Sequence, residues 1–441
     1  MSNTIGKISL CNFNKRRIFE KYLPESSFEA SFHTLYEVKT IDLAQVKLFK
    51  QVESVFLLDV WINPTPDRAG QVLVPSDQKE YFEKELFDAG IELKVIVENI
   101  KDILDFEDKL LSKRITYNTN NNTRNNEILT RIPTYEEVAA YLQEIARTYP
   151  DIVSLENGGK SFEGRDIWYL KISTTKFQDP SKPVVFMQSL LHAREWITLP
   201  ATLYAIHKLV VDVSERDVLQ DVDWIIMPIA NPDGYVFSHA ESRFWRKNRA
   251  NNFVGICAGV DLNRNFDVNW GEASSSISCM DTFHGPQPFS EPETRAIRDI
   301  MLEHGDRLEL FLDIHSFGSM ILFGHGNGVL PPNGLILNLL GVQMAQAIDA
   351  VKADFNPNYV VGNVAHVLYD ASGSAMDYAK VAGAPFAYTY ELPGLRLGVG
   401  AFGFLVDPSF IPQGSMETWE GIKVGARFVR DLRIRKFKGI I

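Results

Sequence analysis

The chain has 441 residues, 45% hydrophobic and 23% charged, with 45 basic against 56 acidic side chains and a formal charge of −11. That length exceeds what one compact core usually holds, and the composition is that of a globular protein rather than a disordered or fibrous one. The acidic balance argues against nucleic acid as a partner, and no apolar tract is long enough to span a bilayer as a helix.

Residues 1–31 form a segment of uncertain status. Its one candidate apolar stretch is broken by Asn14-Lys15-Arg16-Arg17, so no secretory signal is legible there. Residues 32–112 alternate between strand and helix patterns. Leu35–Lys39 reads as a strand, and Leu43–Glu53 carries Val46, Phe49 and Val52 at helical spacing. Val55–Ile62 reads as a second strand, and Val72–Pro75 as a third after a turn marked by Pro64, Pro66 and Gly70. Lys79–Ala89 reads as a helix closed by Gly90, Ile91–Val97 as a last strand, and Ile100–Leu111 as an amphipathic connecting helix. A β-α-β-β-α-β order in about 80 residues suits a small α+β open sandwich. Residues 113–131 then turn polar and Asn-rich, bracketed by Lys113-Arg114, Arg124 and Arg131. Such a segment cannot bury a core, and its basic residues suit a trypsin-like protease; a plain solvated linker is the other reading.

Residues 132–441 carry the periodicity of a large α/β domain. Val184–Leu190, Trp224–Ala230, Leu310–Ile314 and Phe386–Tyr390 are apolar runs of buried-strand type, separated by helical stretches such as Pro200–Val211 and Glu293–Glu303. His192 with Glu195, Asn231, His315 and Glu391 each lie just past such a run. In open α/β sheets the crevice beyond the strands' carboxyl ends is where ligands bind. His192, Glu195 and His315 make a two-imidazole, one-carboxylate set suited to zinc with one position left open. His-x-x-Glu alone is a weak signal. Its weight comes from Arg243-Phe244-Trp245-Arg246, Asp261-Leu262-Asn263-Arg264-Asn265, Tyr369 and Tyr390-Glu391-Leu392 further along.

Together these segments resemble zinc carboxypeptidases of the pancreatic A/B type in precursor form, from about Tyr36 to about Phe428. The resemblance implies a mixed twisted sheet flanked by helices, preceded by an activation domain that caps the cleft. It implies one zinc on His192, Glu195 and His315, with Asp261 orienting His192. Glu391 matches the glutamate that takes and returns a proton, and Arg246 the arginine that stabilises the oxyanion. Asn263, Arg264 and Tyr369 match the groups that hold a substrate's terminal carboxylate, and Arg194, Ser316 and Phe317 match cleft residues. A planar guanidinium can bind a carboxylate in a bidentate way, which restricts such an enzyme to the last residue of a chain. Met376 stands where basic-specific relatives carry an acid; with Val364, Ala375 and Thr389 it implies a pocket for apolar or aromatic terminal side chains.

Cys257 and Cys279 sit where the family carries a disulfide, two separate thiols being the alternative, and Cys11 is left over. Implied partners are peptide or protein C-termini and an activating trypsin-like protease, with a monomer expected. Relatives of this type are secreted. The implied disulfide and the Asn121-Asn122-Thr123 sequon favour an altered start to this sequence over another export route or an intracellular life. Two departures stand out: Phe317 replaces a usual Tyr, and Leu392–Gly400 is longer than usual and lacks an Arg-Asp pair. The alternatives are a catalytically silent binding protein of the same fold, a relative acting on small acylated amino acids, and a carboxypeptidase of unusual terminal specificity. The silent reading would lead us to expect a missing Glu391, Arg246 or ligand, and none is missing.

Overall fold

A computed structural model describes residues 33–112, 127–251, 257–397, 400–401 and 403–439. Cys11, the Asn121 sequon and most of the proposed cleavage segment lie outside them. The first unit is a four-stranded antiparallel sheet, order β2-β3-β1-β4, built from β1 (His33–Lys39), β2 (Asp59–Ile62), β3 (Gly70–Pro75) and β4 (Glu92–Val97). Helices Leu43–Phe56 and Lys79–Asp88 cover it, burying Phe49, Val52, Phe82 and Leu86 against Tyr36, Val38, Val72 and Val74. This is the expected open sandwich, with one correction. The segment Val55–Phe56, read as strand, completes the first helix. Phe56 packs with Phe49 and Val52. The turn comes one residue later, at Leu57 in the left-handed conformation (φ 53°) with its N–H returned to Glu53 O. The strand starts only at Asp59.

The second unit is an eight-stranded mixed sheet of order β11-β10-β12-β9-β7-β8-β6-β5. Its strands are β5 (Val153–Lys160), β6 (Asp166–Ile172), β7 (Val184–Ser189), β8 (Asp223–Met227), β9 (Leu308–Ser316), β10 (Met320–Phe323), β11 (Val360–Asn363) and β12 (Phe386–Leu392). The central four, β12, β9, β7 and β8, run parallel, and β9 is buried along its whole length. Strands covered on both faces read as unbroken apolar runs, which is why the sequence marks them well. One face carries the helices Thr198–Val210, Gly334–Asp349 and Ile411–Phe437 over a core that includes Trp224, Trp419, Tyr388 and Tyr390. The other packs Pro292–Glu303 and Ala375–Val381 around Phe186, Phe266 and Phe311.

Because the central strands are parallel, their carboxyl ends share one rim. β9 and β12 run further than expected, so His315 and Glu391 belong to the strands themselves and face each other in register. After β7, Leu190 takes φ 53° and turns the chain toward His192. Cys257 and Cys279 are joined, with a Cα–Cα distance of 4.9 Å.

Candidate metal centre and cleft

Three ligand atoms converge at the rim, all within 4.8 Å of one another. His192 Nδ1 lies 2.8 Å from Glu195 Oε1, His315 Nδ1 lies 2.9 Å from Glu195 Oε2, and the two Nδ1 atoms are 3.1 Å apart. Each imidazole turns its other nitrogen to a carboxylate. His192 Nε2 is 3.1 Å from Asp261 Oδ1, and His315 Nε2 is 2.8 Å from Asp313 Oδ2. Protons held on Nε2 leave both Nδ1 lone pairs aimed at the common centre, the usual way a histidine ligand is fixed.

The electrostatics ask for a cation. Glu195, Asp261 and Asp313 surround the two rings, all buried. Burial opposes the imidazolium form of His315, yet Asp313 and Glu195 outweigh it and raise its pKa well above the ordinary value. Burial likewise opposes the Glu195 anion, but His192 and His315 hold its pKa well below the usual carboxylate range. A site this short of positive charge, built from two imidazoles and a carboxylate, fits zinc.

Beside it, Arg246 donates from Nε and Nη2 to Asp261 Oδ2 at 3.1 and 2.9 Å, so one aspartate braces both a ligand and the arginine. Glu391 is half-buried on the cleft wall; burial above all pushes its carboxyl up to about 8, and its position opposite His315 sets it against the metal centre, where a bound cation favours the ionised form. Arg264 lies at the end of a short 3₁₀ turn, Leu262–Arg264, whose start is capped by Asp261 accepting from Asn263 N at 3.0 Å. Gly373 (φ +66°) passes so close that a Cβ there would sit 2.3 Å from Arg264 O, so only glycine lets this loop seat the arginine. Arg264 Nη2 is 3.4 Å from the Tyr369 hydroxyl, and its buried Nε has no partner among the described residues.

Other expected positions fall differently. Asn263 is committed within the fold: its Oδ1 accepts from Ala375 N at 2.8 Å, and its Nδ2 lies 3.2 Å from His315 Nε2. Asn231 reaches the rim as a brace, donating to Leu191 O and Lys247 O. Met376 is buried, with Thr389 Oγ1 3.6 Å from its sulfur, in the apolar cluster that includes Val364 and Ala375. Ser316 N donates to Glu195 Oε2 at 3.2 Å, while Phe317 meets Phe404 edge-on with centroids 5.0 Å apart. Arg194 is not free: Nη1 donates to Asp59 of the first unit at 2.8 Å, and its guanidinium lies 4.2 Å from the Phe404 ring.

The first unit roofs this cleft. Trp61 inserts between Phe244 (4.9 Å) and Phe404 (5.4 Å). Arg68 donates to Val367 O and Leu368 O, next to Tyr369. Glu107, from the connecting helix Ile100–Ser112, is buried and accepts from Arg243 Nε at 2.8 Å, Arg243 Nη2 at 3.0 Å and Val406 N at 2.7 Å. A cavity of about 480 Å³ remains, lined by Glu53, Trp61 and Arg68 on one side and by His192, Arg264, Tyr369 and Glu391 on the other.

Asp313 went unread as a functional residue, although the period of two along a strand puts it on the face of His315. Asp59, Trp61, Arg68 and Glu107 left no signal at all, since their partners lie in another part of the chain.

Three ligand atoms able to hold a metal thus sit in a cleft closed by a second folded unit. Residues 138–421 match the zinc carboxypeptidase family and residues 36–107 the carboxypeptidase activation peptide. The chain is 42% identical over 403 residues to carboxypeptidase B of Helicoverpa zea, covering 90% of this chain and 94% of that one. It is 32% identical over 407 residues to mouse carboxypeptidase A2, covering 90% and 93%. The crystal structure of carboxypeptidase A from Helicoverpa armigera superposes with a TM-score of 0.88 at 57% identity, covering 91% of this chain and 98% of that one. The chain belongs to the zinc carboxypeptidase family. It is an exopeptidase of peptide substrates that uses one zinc ion, made as a zymogen with its activation peptide attached.

Proposed function

We propose that the enzyme removes apolar and aromatic residues from peptide C-termini, with zinc held by His192, Glu195 and His315. The observation that carries the reading is the pair Arg264–Tyr369 beside the three converging ligand atoms. A terminal carboxylate on Arg264 sets the last peptide bond at the rim, and a C-terminal amide has nothing to offer that clamp. Zinc supplies Lewis acidity there, acidifying water and polarising a carbonyl. Glu391 takes the proton released in the attack and delivers it to the departing amine. Arg246, fixed by Asp261, donates to the oxygen on which negative charge develops. Asn263 stands with this clamp: its backbone carbonyl accepts from Arg264 Nη1 at 2.7 Å, and its side chain is held by Ala375 N, beside where the terminal carboxylate is proposed to sit.

The names of the relatives divide between carboxypeptidase A and carboxypeptidase B. Met376 favours the apolar choice, because a buried thioether has no charge to pair with Lys or Arg and an unpaired cation there costs several kcal/mol. Residues 32–112 act as the activation domain, 113–131 as the segment cut by a trypsin-like protease, and 132–441 as the catalytic domain. We further propose that the trimmed enzyme works outside cells as a monomer. Among the described residues no helix is long and apolar enough to cross a membrane.

The test pairs metal content with turnover after limited trypsin. Peptides ending in Phe or Leu should be trimmed and their amides left intact. His315→Ala should lose both zinc and activity, and Met376→Asp should move preference toward Lys and Arg. Efficient cleavage of C-terminal Lys by the native enzyme would refute the pocket assignment alone. Full zinc in the His315→Ala protein would refute the ligand set.

A further inference from the structure

The strand that leads to His192 changes character at its end. β7 is buried along its length, and Val184, Val185, Phe186 and Met187 supply the apolar run expected of a strand covered on both faces. Gln188 and Ser189, equally buried, break that run. Ser189 is satisfied where it stands, donating to Pro228 O at 2.7 Å. Gln188 is only half satisfied: its Nε2 donates to Asp313 Oδ1 at 2.9 Å, but its Oε1 has no partner among the described residues. A buried acceptor left bare costs stability that an apolar side chain in the same place would avoid. Turning the amide over would not help, because its oxygen would then face the carboxylate, which only accepts.

What the amide holds accounts for its presence. Gln188 of β7, Asp313 of β9 and Thr389 of β12 are register neighbours across three parallel strands. The period of two puts His315 and Glu391 on the same face, one step nearer the rim. Asp313 Oδ2 is the atom that meets His315 Nε2 at 2.8 Å, so one buried carboxylate is shared between the ligand and Gln188. Thr389 sends its hydroxyl to the Met376 sulfur instead, and the Asn263 amide stands off from Asp313 Oδ2 at 3.5 Å. The terminal torsion of an aspartate is broad, so a carboxylate held at one oxygen alone is free to turn. The Gln188 hydrogen bond holds the second oxygen.

We propose that Gln188 is a positioning residue for the metal centre, acting on His315 through Asp313. The inference rests on the ligand set proposed above. Gln188 Nε2 donates to Asp313 Oδ1 and His315 Nε2 to Asp313 Oδ2. The His315 Nδ1 lone pair is thereby aimed at the point where His192 Nδ1 and Glu195 Oε2 converge. Gln188 touches neither substrate nor metal; it fixes the rotation of the carboxylate, and the carboxylate fixes the ring. Partners that orient a ligand directly are typically worth about 10- to 100-fold in metal affinity. Gln188 stands one step further out, and its own effect should be about three- to tenfold.

The experiment is a double-mutant cycle on the full chain, stripped of metal and reloaded, with zinc affinity read by chelator competition. Gln188→Met keeps the length of the side chain and removes the donor. It should weaken zinc binding by about three- to tenfold, less than Asp313→Asn does. In the Asp313→Asn background the same change should alter affinity by less than about twofold, because the carboxylate it positions is gone. Cobalt(II) in place of zinc gives a second readout: visible absorption bands that report ligand geometry should shift in Gln188→Met. A residue that merely supports the fold would leave those bands alone. Gln188→Leu serves if the Met variant fails to fold. Unchanged zinc affinity in a folded variant, or an equal loss in both backgrounds, overturns the relay through Asp313. His315→Ala keeps this separate from the ligand assignment. Full zinc in His315→Ala would overturn the ligand set itself; zinc lost there but undiminished in Gln188→Met would overturn the positioning role alone.

Discussion

The cleft is gripped at its two ends by different physics. At the metal end each proposed ligand is fixed from within the catalytic domain: His192 by Asp261, His315 on the fully buried β9 by Asp313, and Glu195 by the Ser316 N–H. At the Arg194 end the partners come from the activation domain: a carboxylate, an indole between two phenyl rings, and one buried glutamate. The first arrangement must survive activation and the second must end with it. A permanent site therefore takes its support from its own sheet, while a temporary cover takes a few strong contacts that leave together.

The largest effect should come from a change at the metal end that leaves the metal alone. Glu391→Gln keeps size and most hydrogen bonding but cannot take a proton at neutral pH. Turnover of the trimmed enzyme should fall about 10³- to 10⁴-fold, the upper part of the general-base range, because the same group also returns the proton. Zinc content, measured on the same sample, should be unchanged. Lost zinc would make Glu391 a ligand or support instead.

The matching change at the other end is Trp61→Ala. Removing a buried tryptophan costs about 3–5 kcal/mol where the site cannot collapse, and here the loss falls on docking. The uncut chain should leak, its activity relative to the trimmed enzyme rising by up to about 10²-fold, while the trimmed enzyme is unaffected. No increase would mean that the ion pairs of Arg194 and Arg243 alone hold the cover.

Asp313→Asn probes the inner support of the metal end. An amide still touches His315 Nε2 but no longer balances its charge. Zinc affinity, read by chelator competition, should drop about 10- to 100-fold with the fold retained. Unchanged affinity would place the whole burden on Asp261.

These two ends were not equally legible. His192, Glu195 and His315 could be singled out because a metal demands particular residue types and apolar runs placed them, with Glu391, at strand ends; the roles of Glu391 and Arg246 followed only from the family resemblance. Asp313 was within reach of the same pattern. The cover was legible as a fold, from alternating apolar positions in β1 and β4 and the helical spacing between. Its contacts were not: Asp59 reads as one acid inside the expected strand Val55–Ile62, and Glu107 as a solvated face of an amphipathic helix until a distant Arg243 makes it buried. The same holds for Arg194, whose family role lies in the cleft but whose guanidinium is claimed by Asp59. Local patterns fix elements, whereas a removable interface is written in pairs far apart along the chain.

The smallest expected effect supplies the scale for both ends. Asp217, in the short helix Arg216–Gln220, accepts from Arg427 Nε at 2.8 Å and is also bonded by Arg430, tying the helix Ile411–Phe437 to the segment that leads into β8. Hydrogen bonding to Arg427 leads the causes that lower its pKa to about 2. A depressed carboxyl contributes stability above the ordinary range of about 4 and loses it as pH falls through about 2. The side chains of Asp217 and Arg427 are each 38% exposed, so water and salt screen the pair. Asp217→Asn should therefore cost less than about 1 kcal/mol, a small drop in the denaturation midpoint at pH 7 that disappears below pH 2. Zinc content and the leak of the uncut chain should not move. A larger cost, or any change in leak, would mean that the C-terminal helix is coupled to the cleft, and the division between a self-supported metal end and a removable cover would need a third member.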